Sequence, residues 1–309
     1  MAASHHATAQ TPVRGEIFLD HAGWYVPDMD AAGAAFTRLG FELTPFVAHT
    51  NADPAGGPPV PSGTGNRCAM LARGYIEILA AMPGSDKPLA VQLRAGLERY
   101  TGIHLIAFTV ADADAERARL GEDGFDPQPV VHLRRPVETA NGGEGEVGFE
   151  VVRLPPDAMA EGRIQILRQV TPELVWQDRF ITRRNGIAEL SGVLVCSADP
   201  AEAASRFARF TSRPAAYAGD RWSIALDRGR VEIAAPGQCR TMVPGIDIPA
   251  TPFIAALALA SGDMAVTAQY FDADRIPYGR IGDTLHIAAA DGLGAALIVH
   301  PVGEAWLPR

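Results

Sequence analysis

Residues 18–32 read FLDHAGWYVPDMDAA. An apolar run from Phe18 to Val26 carries one histidine, His21, stops at Pro27 and restarts as a helical pattern behind Asp28. Proline cannot donate to a strand ladder, and an aspartate carboxylate accepts the free N–H groups of a helix's first turn. The stretch therefore reads strand, turn, helix. The same order returns in LIAFTVADADAERARLGEDGF from Leu105, GVLVCSADPAEAASRFARF from Gly192 and AALALASGDMAVTAQYFDA from Ala255. Four closing segments match as well: RGYIEILAAMPG (73–84), EGRIQILRQVTP (161–172), RGRVEIAAPG (228–237) and GAALIVHPVG (294–303). Each is a glycine, a short strand of β-branched and long aliphatic residues, and a stop rich in proline.

Each unit leaves room for two further strands, such as GTGNRCAMLA (63–72) and RWSIALD (221–227). The repeat is thus β-α-β-β-β, and internal repetition is the strongest clue to architecture. One such unit is too small and too open-edged to stand alone, so units pair around a shared cavity. The expectation is an α+β chain of four βαβββ modules paired into two half-barrel domains, 16–170 and 187–309. Residues 1–15 are expected as a disordered lead-in, and residues 171–186 as the joining linker. Trp176 and Phe180, four apart, should pin a linker helix to the body. The Gly/Pro-rich stretches 48–65 and 134–148 read as long loops over the cavity, as lids or specificity elements.

Composition narrows the function. The 309 residues are 47% hydrophobic and 20% charged, with a net charge of −9. That balance describes a globular protein, and it argues against a nucleic-acid or anionic-membrane surface, either of which needs a basic patch. No apolar run approaches the length of a membrane span, and MAASHHATAQTPVRGE lacks the pattern of a signal peptide. Three scattered cysteines without a C-x-x-C pair give neither a disulfide nor a metal framework and fit a reducing cytoplasm. GPPVPSGTG lacks the Gly-Lys-Ser/Thr ending of a phosphate loop. No dinucleotide fingerprint, nucleophile elbow or HExxH motif is present, so no nucleotide cofactor is expected.

The stretch LDHAGWYVPDMDAA…GTGNRCAMLARGYIEILA, with TPELVW and the NG after it, resembles the vicinal oxygen chelate superfamily, and within it the bacterial glyoxalase-like domains. The resemblance spans nearly the whole chain. It implies metal ligands on the first and last strands of each module. Carried over, these places hold His21 and Glu77 in the first module and Leu105 and Gln165 in the second. In the second half they hold Gly192, Glu232, Leu257 and Leu297. Leu105 cannot bind a metal. The chemistry therefore falls to the first half, and the second half is structural or carries a homodimer surface.

The residue types agree with that placement. A strand carboxylate between Ile76 and Ile78 is costly to bury unless paired or ligated, and imidazole is the commonest transition-metal ligand. Gln165 repeats the phase of Glu77 and could complete a divalent-metal site (Fe, Mn, Zn, Ni or Co) with His21 and Glu77. His104 sits one residue before the ligand place. Regular pleating points it away, and a β-bulge would be needed to turn it inward. With His104 inward, His21, His104 and Glu77 would form the two-His-one-carboxylate set of non-haem iron(II) oxygenases. Without metal, Glu77 could act as a bare base with His21 as partner. Tyr25 shares the phase of His21, as a cavity wall or proton donor. Asn66 and Arg67 alternate, so only one faces the cavity, and Arg67 would clamp a substrate carboxylate or phosphate. The leading expectation is a metal-assisted lyase or isomerase that passes a small oxygen-rich metabolite through an enediolate. A ring-cleaving iron dioxygenase and a metal-free small-molecule or antibiotic binding protein are the alternatives.

Overall fold

The computed structural model describes residues 5–51, 57 and 59–307. A short helix α1 (His5–Thr8) leads into the first module: β1 (Ile17–Tyr25), α2 (Met29–Arg38), β2 (Val47–Asn51), β3 (Val60–Met70) and β4 (Tyr75–Ala81). Helix α3 (Pro88–Arg99) bridges to the second module: β5 (Gly102–Val110), α4 (Ala113–Glu122), β6 (Val131–Glu138), β7 (Glu144–Arg153) and β8 (Arg163–Gln169). After α5 (Pro172–Val175) the third module runs β9 (Ile187–Cys196), α6 (Pro200–Thr211), β10 (Ala215–Tyr217), β11 (Trp222–Ala225) and β12 (Arg230–Ala234). Helix α7 (Pro236–Met242) precedes the fourth: β13 (Phe253–Ser261), α8 (Met264–Ala273), β14 (Gly279–Ile281), β15 (Thr284–Ile287) and β16 (Ala296–Pro301).

The aspartates that marked the repeat cap the helices. The carboxylates of Asp28, Asp112, Asp199 and Asp263 each accept from backbone N–H groups in the first turns of α2, α4, α6 and α8. Each such cap stabilises by roughly 1 kcal/mol. Phe36, Phe207, Phe210 and Phe271 project from three of these helices into one core, where Trp24 and Phe108 of the first strands meet them. Each buried ring of this kind adds roughly 1.5–3 kcal/mol.

Within a module the first and last strands run parallel, as β1 with β4 and β5 with β8. Modules join through antiparallel pairs of first strands, β1 with β5 and β9 with β13. The strand order of the first half is β2-β3-β4-β1-β5-β8-β7-β6, and the second half repeats it as β10-β11-β12-β9-β13-β16-β15-β14. A register pair between Ile254 and Ile103 connects the halves into one open sheet.

The central pairs share a detail that the sequence pattern does not show. Where β1 crosses β5, Leu19 pairs with Phe108 and His21 with Ala107, leaving Asp20 as an extra residue. On the partner strand Gly23 pairs with Leu105 and Trp24 with Ile103, leaving His104 as the extra residue. In the second half Ser191 and Ala255 are bulged in the same way. All four modules thus place a bulge immediately before the expected ligand position. This register corrects the fourth module: its equivalents of His21 and Glu77 are Ala256 and Ile298, rather than Leu257 and Leu297. Neither residue offers a donor.

Three expectations need correction. The lead-in is ordered from His5 onward, because Gln10 is buried and tied down: it donates to Ala72 O and accepts from Gly74 N and Arg228 Nη1. Residues 1–4 lie outside the described residues. The stretch 134–148 is the distal part of a β6–β7 hairpin paired out to Glu138 and Glu144, so its glycines serve a turn rather than a long loop. The linker forms α5 and a 3-10 turn at Asp178–Phe180 instead of one helix. Buried Trp176 anchors it, donating to Leu71 O at 3.1 Å.

The second half has a filled concave face. Trp306 and Leu307 pack with Cys239 and Met242 of α7 against Leu194, Ala256, Ala258 and Ile298. A side chain at Gly192 would meet the Trp306 indole at 2.9–3.1 Å.

Candidate active site

In the first half the concave face remains open. A cavity of about 120 Å³ is lined by His21, Asn66, Tyr75, Glu77, Leu105 and Gln165, with the guanidinium groups of Arg135, Arg153 and Arg163. The strands explain the assembly. Glu77 pairs with Gly23 across β1 and β4, and Gln165 pairs with Ala107 across β5 and β8, so the two occupy equivalent places. His21 and Leu105 are likewise equivalent, pairing with Tyr75 and Arg163.

His21 is held on three sides. Its ring stacks on Tyr75 with centroids 4.4 Å apart, and its Nδ1 lies 2.6 Å from Asp20 Oδ1. Nε2 is left facing Glu77 Oε2 at 3.7 Å. Asp20 is fully buried, and Gln169 donates to both of its oxygens at 3.3 and 3.1 Å. With Asp20 Oδ1 accepting from Nδ1–H, Nε2 is the nitrogen turned toward the cavity. Asn66 donates to Glu77 Oε1 at 2.6 Å. Burial alone would raise the Glu77 carboxyl, but the charge that His21 and His49 carry when protonated, the Asn66 amide and Arg135 together hold it below the ordinary glutamate value. Glu77 is therefore ionised at neutral pH. Burial, assisted by Arg135, pushes the His49 imidazole down to about 4, so it is neutral.

Of the residues expected from sequence, His21, Glu77, Asn66 and Gln165 line this cavity and Tyr25, His104 and Arg67 do not. Arg67 alternates with Asn66 and its guanidinium lies toward Gly33 of α2, outside the cavity. The bulge at His104 exists, but it seats the imidazole between Tyr100 and Tyr25, with centroids 3.9 and 5.0 Å apart. His104 Nε2 lies 2.8 Å from Tyr100 O. It and Tyr25 border a separate pocket with Gln92, Arg99 and Arg163. The set His21, His104, Glu77 is thus not assembled. Tyr25 stays close enough to matter electrostatically: burial raises its phenol, with Arg163 opposing.

Sequence reasoning missed Asp20, Tyr75 and the three arginines. Period 2 from Gln165 leads to Arg163, and from Phe149 and Val151 to Arg153, so the signal existed for those two. Asp20 gave none, since regular pleating would point it away from His21 and only the bulge turns it inward.

Among the described residues no point gathers three His, Cys, Asp or Glu donors. A divalent cation here needs the amide oxygen of Gln165 as its third donor. Two observations fit that role. Gln165 Oε1 is buried without a hydrogen-bond partner, and His21 is anchored through Nδ1 by a carboxylate, as metal-ligating histidines are. Leu105 closes the fourth place.

The chain matches the family of glyoxalase-like domains over residues 19–211. It belongs to that family, within the vicinal oxygen chelate superfamily. A comparison with curated protein sequences found no match. Among solved structures, a hypothetical protein from Staphylococcus aureus is 11% identical, with a TM-score of 0.62 over 93% of this chain and 100% of that one. A mutant 4-hydroxymandelate synthase from Streptomyces coelicolor is 15% identical, with a TM-score of 0.59 over 94% of this chain and 95% of the other. At such identities the likeness is one of fold, and this fold hosts many chemistries. No helix among the described residues is long and apolar enough to cross a membrane.

Proposed function

We propose that the protein is a lyase or isomerase of the vicinal oxygen chelate type, transferring a proton at a carbon beside a carbonyl in a small, anionic, oxygen-rich metabolite. The observation that carries this reading is the convergence of His21 Nε2, Glu77 Oε2 and the unpaired Gln165 Oε1 on a cavity walled by three guanidinium groups.

Arg135, Arg153 and Arg163 attract and orient the substrate anion. Glu77 is fixed through Oε1 by Asn66, leaving Oε2 to accept the proton. Arrival of an anion adds like charge and expels water, both of which raise the proton affinity of Glu77 toward that of an efficient base. The enediolate formed on proton loss is stabilised by the guanidinium groups, which are in place before charge develops. His21, oriented by Asp20, holds its lone pair toward Glu77 and the substrate. A divalent ion held by His21, Glu77 and Gln165 would polarise adjacent substrate oxygens. The ring-cleaving alternative loses its second histidine to the stack with Tyr25 and Tyr100.

The test combines two measurements. Metal content by mass spectrometry is read on wild type, His21→Ala and Glu77→Ala; near-stoichiometric metal in the wild type, lost in both variants, supports the ligand assignment. Incubation with a panel of 2-oxo and 2-hydroxy carboxylates in deuterium oxide, followed by NMR, reads proton transfer. Exchange that falls by roughly 10²–10⁴ in Glu77→Gln supports the base assignment. Absence of exchange across the panel, with and without added divalent ions, favours a binding protein instead.

A further inference from the structure

The small cavity at Glu77 lies between two larger pockets, of which the second is the more apolar. On one side, sharing Arg153 and Arg163 with it, is a space of about 440 Å³ bordered by Lys87, Gln92 and Gln128. On the other, sharing Asn66, Arg135 and Phe149 with it, is a space of about 390 Å³ walled by Val137, Val147, Leu174, Val175 and Phe180. The polar side has spare donors. Arg163 directs Nε and Nη2 at the single oxygen Gln92 Oε1, and Arg153 Nε is buried without a hydrogen-bond partner.

We propose that the substrate is amphiphilic: an oxyanion, carboxylate or phosphate, held by Arg153 and Arg163, and an apolar group in the vestibule at Phe149, Val175 and Phe180, spanning the reacting centre at Glu77. The proposal rests on the reading of this cavity as the site of chemistry, and it adds the substrate's two ends. The arithmetic of size supports it. An inner cavity of about 120 Å³ accommodates only a few non-hydrogen atoms, so anything larger must extend into one neighbour or both. In the vestibule Arg179 is already engaged by Glu138 and Gln177, and Arg135 sits at the boundary shared with the Glu77 cavity, so the guanidinium donors open to an oxyanion lie toward Arg153, where an alkyl or aryl group would leave the cation unpaired. The two sides therefore orient the molecule in one direction.

Calorimetric titration of the intact protein with acetate, octanoate, octyl phosphate and octan-1-ol tests this without requiring turnover. Octanoate or octyl phosphate, whichever oxyanion the mouth prefers, should bind at least tenfold tighter than both acetate and octan-1-ol. Arg153→Ala should weaken the charged ligand tenfold or more and leave octan-1-ol unchanged, whereas Phe149→Ala should weaken both. Arg163→Gln, which keeps a polar side chain, guards against a fold defect in the first variant and should weaken only the charged ligands. Equal affinity for octanoate and octan-1-ol, or for octanoate and acetate, would overturn the proposal, as would indifference to both arginine substitutions. Binding of this pattern without any proton exchange would sink the catalytic reading alone, so the two failures are separable.

Discussion

Asp20 and His21 are adjacent on one strand, yet their side chains meet, with Asp20 Oδ1 2.6 Å from His21 Nδ1. The one-residue bulge in β1 makes this contact available. Gln169 donates to the buried carboxylate, and the charge of Arg228 lies close enough to interact with it. Asp20 therefore acts through His21, as a positioning residue.

Asp20→Asn keeps the volume but sets an amide against the Gln169 amide and weakens the hold on Nδ1. Metal affinity or proton-exchange rate should fall by about 10–100-fold. The ¹⁵N shifts of the His21 ring should show a mixture of tautomers in place of one. Unchanged ring shifts would deny the positioning role.

Leu105→His restores a donor at the place equivalent to His21. Leu105 already borders the cavity, so the new imidazole would face Glu77 and Gln165. Divalent-metal affinity, measured by chelator competition, should rise at least about tenfold, because a further nitrogen ligand joins a partly built site. Folding stability should drop by about 1–3 kcal/mol from burying a polar ring in an aliphatic place. No gain in affinity would mean that the first-half strands do not converge as a metal site.

The repeat, the caps and the pairing of His21 with Glu77 were legible because they obey local rules: Asp before a helix, apolar period 2, and a glycine before each closing strand. His104 and Asp20 were not, because a bulge alters strand phase without leaving a fixed residue signature. Arg135 on β6 was obscured because it lies in the glycine-rich stretch that read as a loop. The filled second half was hidden because Trp306 lies outside the four repeats and reaches Gly192 only through the tertiary fold.

Gly192→Ala should expose that filling. The added methyl meets the Trp306 indole at 2.9–3.1 Å, tighter than packed atoms tolerate. A loss of about 1–3 kcal/mol in urea denaturation is expected. Trp306→Leu alone should also destabilise, through the space it leaves. The double variant should lose less than the sum, since the smaller side chain frees the room that the methyl needs. Strict additivity would show that Trp306 does not occupy that face in solution.

Acid should unfold the protein through its buried imidazoles. Burial pushes His104 down to about 4, only partly offset by Tyr100 O, and His49, His286 and His300 are lowered too, with burial first in each case. For His104 the unfolded chain binds its proton near pH 6.5, while the folded chain resists until about pH 4. The unfolded state therefore takes up more protons in that window, and stability falls as pH falls. The full contribution is present above about pH 6.5 and is lost progressively down to the folded value. At pH 5 the cost from His104 alone is about 2 kcal/mol. Urea denaturation at pH 7.5, 6 and 5 should show this slope, and His104→Gln, whose amide can still donate to Tyr100 O, should flatten it by about that amount even if it is less stable overall. Parallel curves for wild type and variant would mean that His104 is already protonated in the folded protein, and the stack between Tyr25 and Tyr100 would then hold an imidazolium.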